Sequence, residues 1–228
     1  MATPTRYPNG VTNVAKNTPT GNYGLPDPSD WHTYFDDFDY YAAGNWTITN
    51  AATGTIALTD ADGGVLLVTN NTGATDSITL QKVGESFLMA SGKPALFKTR
   101  IKASEATNSV LVIGLCITDT TPADATDGIF FSKADDTTSI TALCRKDATT
   151  GSTSLTVGAL TTDWIELAWT YDGKSSVTIW FNGTAVGTLD GSSTYLPDTE
   201  LTPTIYFANG SAGAKNLQVD YLLAAKSR

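Results

Sequence analysis

Beyond residue 30 the chain alternates short apolar runs with turn residues, the spacing expected of a sandwich built from antiparallel strands. Residues 45–49, 55–59, 64–69, 77–81, 95–102, 110–117, 128–132, 138–144, 164–171, 176–181, 184–188, 204–208 and 217–223 read as thirteen strands. Within 95–102 the period of two is direct. Ala95, Phe97, Thr99 and Ile101 fall on one face, and Leu96, Lys98, Arg100 and Lys102 fall on the other, with Leu96 breaking the polar pattern. Only residues 83–90 carry a spacing compatible with a helical turn. The five-residue offset between Trp164 and Trp169 places the two rings on opposite faces of one strand, one in the core and one outside it.

Residues 1–30 follow no such period. They hold Pro4, Pro8, Pro19, Pro26 and Pro28, five of the nine prolines in the chain. A segment of this kind is extended. Its apolar anchors Tyr7, Val11, Tyr23 and Leu25 suit an arm that orders against another surface. Residues 31–228 form one predicted domain.

Composition supports the strand reading. Thirty-eight of 228 residues are threonine, which is β-branched and a poor helix former, and 20 are glycine. The net charge of −9 disfavours a surface for nucleic acid or anionic lipid. The start of the chain has no apolar run suited to a secretory signal, and no stretch is long and apolar enough to span a bilayer. Cys116 and Cys144, each within an apolar run, read as buried thiols, with a disulfide or a metal pair as the alternative. The Asn45, Asn70, Asn182 and Asn209 acceptor sequences are frequent by chance where threonine is abundant.

Catalytic devices are sparse. His32 is the sole histidine, and Glu85, Glu105, Glu166 and Glu200 are the only glutamates. A Ser-His-Asp device has one base available, and no histidine-rich metal site can form. The Asp60–Gly64 and Asp119–Asp127 stretches offer carboxylates for calcium, but neither reproduces a complete ligand set. The expectation is therefore a chain that is not an enzyme and needs no metal and no cofactor. For a glycan, the ring candidates are Trp164, Trp169, Trp180, Tyr171, Tyr195 and Tyr206, with Trp164 and Tyr195 foremost. The run from Trp31 to Tyr41 is rich in rings and acids. It suits either a first strand whose alternate rings enter the core or an intersubunit contact through Trp31 and Tyr34.

The segment from Trp164 to Gly187, with its Tyr171-Asp-Gly and Phe181-Asn-Gly turns, resembles the laminin G and concanavalin A-like lectin sandwiches. That resemblance implies an all-β, two-sheet antiparallel jelly roll. A second resemblance rests on the Thr5–Thr12 arm sequence, the Tyr34–Tyr41 run and the absence of a secretion signal together. The chain is similar in these to the decoration, or cement, proteins of tailed bacteriophage heads. It implies a major capsid protein as partner, a homo-oligomer (a trimer above others) and a place on the virion exterior after synthesis in the host cytoplasm. It implies no nucleic acid and no membrane contact. A carbohydrate-binding module is the alternative, and a polysaccharide-active enzyme of the same fold is the third reading. A glycosidase of this fold would use a Glu-x-Asp-x-x-Glu strand, which Asp163-Trp-Ile-Glu166 does not reproduce.

Overall fold

The computed structural model describes residues 29–50, 53–61, 63–151 and 155–228. The arm residues Tyr7, Val11, Tyr23 and Leu25 lie outside them. In chain order the strands begin with β1 (Trp31–Asp36), β2 (Trp46–Asn50), β3 (Thr55–Thr59), β4 (Val65–Thr69), β5 (Ser77–Lys82) and β6 (Phe87–Leu88). Next come β7 (Ala95–Ala103), β8 (Ser109–Cys116), β9 (Gly128–Lys133), β10 (Ser139–Lys146), β11 (Thr149–Thr150) and β12 (Leu155–Ala159). The last are β13 (Ile165–Tyr171), β14 (Ser176–Phe181), β15 (Thr184–Asp190), β16 (Glu200–Asn209) and β17 (Asn216–Ser227). All thirteen predicted strands are present, and β1, β6, β11 and β12 are additional. The stretch 83–90 is not helical: Phe87 is buried in the core and pairs with Leu201 as part of β6. No helix among the described residues is long and apolar enough to cross a membrane.

The strands form two antiparallel sheets. One has eight strands in the order β15-β14-β13-β7-β17-β4-β3, with β1 also on β17. The other has nine, β11-β10-β9-β8-β16-β5-β2, with β12 on β10 and β6 on β16. Their inner faces share one apolar core. Trp169 is fully buried there, stacked 6.2 Å from Phe97, and its indole N–H donates to the Ile129 carbonyl at 3.1 Å. That bond joins the two sheets and satisfies the one polar atom of the ring. The β14–β15 hairpin turns on Asn182 and Gly183, both at positive φ (48° and 75°), as a two-residue turn between twisted strands requires.

Cys116 faces outward from β8 in a second small apolar cluster, whereas Cys144 faces the main core from β10. Both are buried and free, so the thiol reading holds. Burial pushes both thiols up, Cys144 to about 12. Of the four acceptor asparagines, Asn70 and Asn209 are buried, and Asn182 accepts the Glu166 N–H with its side chain.

Candidate functional site

The outward face of the eight-stranded sheet carries long polar side chains that meet in pairs. Glu166, Arg100 and Tyr221 stand in one row across β13, β7 and β17. Glu166 lies 2.8 Å from the Lys98 ammonium and accepts from the Tyr221 hydroxyl at 2.9 Å. Burial, then the Glu166 charge and this bond, push the Tyr221 phenol up. Arg100 pairs at 2.8 Å with Asp220, at the register shift of β17, and its guanidinium covers the Trp164 ring at 4.7 Å. Trp164 is thus outside and Trp169 inside, as their spacing requires. One face of the Trp164 ring is already occupied by a cation.

The nine-stranded sheet differs. Its outward side chains on β8 and β9 include Val112, Cys116 and Phe130, too apolar to face water, and the loop 117–127 folds over them. Gln81, itself buried, fixes that loop: its amide donates to the Ile117 carbonyl and the Thr204 hydroxyl, both at 3.0 Å, and accepts from the Asp119 N–H at 2.9 Å. Arg145 donates to the Ala125 carbonyl at 2.9 Å.

Beyond the cover, the same face opens into a recess of about 310 Å³. Its floor is Val110 and Ala208, directly paired on β8 and β16, and the half-buried ring of Tyr206 rises beside them. Ala74 and Thr75 line it from the β4–β5 loop, and Asp135 and Gly210 line it from the loops after β9 and β16. A Cβ on Gly210 would lie 1.6 Å from an Asp135 carboxylate oxygen, so the missing side chain is what lets the carboxylate lie there. Among the described residues Asp135 has no hydrogen bond and no close ion pair, and the cation it acts on through charge is Lys133. The wall is firmly held: the Asn209 amide donates to the carbonyls of Asn71 and Gly73 at 2.7 and 2.8 Å, and Gly73 N–H donates to Asp76 at 2.8 Å.

The other predicted residues lie elsewhere. Tyr34 was expected at a partner surface, but its ring meets Trp46 edge-on at 6.3 Å and its hydroxyl donates to Asp36 at 2.8 Å, so it is engaged within the fold. Trp31 opens β1 and is half-buried. In the same run it is Phe35 and Tyr40 that face solvent, 57% and 76% exposed. Tyr195 lies in the loop after β15, where its carbonyl accepts from Cys144, and it does not join Trp164. His32 meets the Ser86 hydroxyl at 3.0 Å on the edge of the sandwich. Asp127, Asp147 and Asp198 place carboxylate oxygens within 4.8 Å of one another and are the described group that could hold a hard cation; Lys146 already neutralises Asp198 at 2.7 Å. Only Asp127 of these belongs to an acidic stretch singled out in the sequence.

No family model and no curated protein sequence matches the chain. Solved structures do. An endo-1,3-β-glucanase from Streptomyces sioyaensis superposes with a TM-score of 0.61 at 12% identity, over 89% of this chain and 99% of that one. The β-glucanase of Bacillus licheniformis gives 0.60 at 12% identity, over 84% and 97%. The carbohydrate recognition domain of Emp47p gives 0.60 at 9% identity, over 88% and 98%. The fold is a concanavalin A-like jelly roll. At these identities the likeness is one of fold. It nevertheless corrects the expectation of a chain that is not an enzyme, because the same sandwich carries glucanases and a glycosidic hydrolase.

Proposed function

We propose that this chain recognises carbohydrate through the recess on its nine-stranded sheet. The observation that carries the reading is a carboxylate free of hydrogen bonds, Asp135, beside a half-buried aromatic ring, Tyr206, over a floor of small side chains. A sugar offers an apolar C–H face for a ring and hydroxyls for a carboxylate, and a recess that presents both needs little rearrangement to bind it. The fold shared with β-glucanases and a carbohydrate recognition domain supports the same reading. The reading as a capsid decoration protein has no such support: none of the structures named above is a virion protein, and the arm lies outside the described residues.

Electrophoresis of the whole chain through gels cast with a 1,3-β-glucan, a mixed-linkage β-glucan or a mannan tests the proposal, with release of reducing ends followed in parallel. Retardation by at least one polymer, or binding to at least one glycan of a broad array, is expected, and its loss in Tyr206→Ala. Unretarded migration in all three gels, with no binding across a broad glycan array, rejects it.

A further inference from the structure

Resting on that carbohydrate reading, we infer that the recess takes one uncharged sugar ring at the end of a glycan, in preference to an internal stretch of polymer or an acidic sugar. The shape gives the first half of this. Three loops wall the recess, and on its inner side Tyr206 packs against the cluster that loop 117–127 covers. A polymer laid on Val110 and Ala208 therefore meets that cover beyond the ring and cannot continue along the sheet. The space of about 310 Å³ and the single ring provide for one sugar, with no second platform in line.

Charge gives the second half. Asp135 lines the recess, its neighbour Asp136 stands in the same exposed turn, and Asp124 acts on Tyr206 from the covering loop. The cations on adjoining elements have their N–H donors engaged, and Lys133 acts on Asp135 through charge alone. Lys133 at the end of β9 is buried and donates to the Thr107 and Ser109 carbonyls, and Lys215 donates to the Ser211 carbonyl at 2.5 Å. A uronate entering here would meet three carboxylates against one buried cation whose N–H donors are already spent, whereas the hydroxyls of a neutral ring would donate to Asp135. The bonds that tie Asn209 to the Asn71–Gly73 wall hold the site in place before any ligand arrives, which lowers the entropic cost of binding.

Saturation-transfer NMR and calorimetry on the whole chain, with methyl glycosides of glucose, galactose and mannose beside methyl glucuronide and galacturonide, test the inference. At least one neutral glycoside should bind saturably and the uronides should not. Asp135→Asn should weaken binding about tenfold or more, as loss of a charged hydrogen-bond acceptor does. Gly210→Ala should act in the same direction by displacing the carboxylate without altering charge, with melting curves confirming that both variants fold. Affinity should change little from a monosaccharide glycoside to a tetrasaccharide. Uronides binding as well as neutral sugars, a steep rise of affinity with chain length, or indifference to both substitutions would each overturn the inference. If a polymer still retards the chain in gels while Asp135→Asn and Gly210→Ala change nothing, carbohydrate recognition stands and only this assignment fails. If no sugar of any kind binds, both fall.

Discussion

The two outward faces of the sandwich handle their surroundings in opposite ways. On the eight-stranded sheet, β7 presents Lys98, Arg100 and Lys102, and neighbouring strands supply Glu166 and Asp220, so the face is finished by side chains alone. On the nine-stranded sheet the outward residues of β8 and β9 are small or apolar, and a loop has to finish it. A face completed by paired charges leaves little unmatched for a ligand. A face completed by a loop is complete only as far as the loop reaches, and the recess is where the cover stops.

That contrast can be broken experimentally. The largest effect is expected at Phe130, which is fully buried although it points away from the main core. Phe130→Ala should cost about 3–5 kcal/mol in urea or thermal unfolding, as a core ring does. A loss near zero would mean that the loop is not a true cover. Gln81→Ala comes next, at about 1–3 kcal/mol, because it leaves the Ile117 carbonyl and the Asp119 N–H without their partner. Faster hydrogen exchange at Asp119 and its neighbours, with the β7 amides unchanged, would localise the damage to the cover. The smallest effect is expected on the charged face. Glu166→Gln should shift stability by about 1 kcal/mol or less, since both side chains of the Lys98 pair remain partly exposed. Comparing melts at low and high salt checks this; a salt-independent loss as large as that of Phe130→Ala would erase the distinction between the faces.

The sandwich was legible because its signals are local. Strand alternation at 95–102, the opposite placement of Trp164 and Trp169, and the Asn182-Gly183 turn each follow from a few adjacent residues. The short strands β6 and β11 carry only two residues each, too few for any period to register. The recess was illegible for a different reason. Its residues come from the β4–β5 loop, β8, the β9–β10 turn and the end of β16, and are joined only by register and by the Asn209 bonds. Tyr206 stood among the candidate rings, but Asp135 sits in a turn where aspartate is commonplace. Its distinction is a carboxylate without a hydrogen bond, held against Gly210, which no sequence displays. The ring-rich run 31–41 left a first strand and an intersubunit contact both open; residues 31–36 form β1, where Tyr34 lies against Trp46 while Phe35, and Tyr40 beyond it, face solvent.

β17 also bears on how the molecule comes into being. It pairs with β7 along nearly its whole length, and on its other side with β4 over Asn216–Val219 and with β1 over Leu222–Ser227. Almost the whole described chain separates Trp31 from its rung at Ser227. During synthesis β1, β4 and β7 therefore wait with open edges until residues 216–227 leave the ribosome, and the eight-stranded sheet closes in one late event. The nine-stranded sheet has its own late strand in β16 but can assemble β8, β9 and β10 as consecutive hairpins well before it. Translation should thus yield a half-built sandwich first, dependent on its last strand, and chains stalled before residue 216 would expose the β7 edge to aggregation.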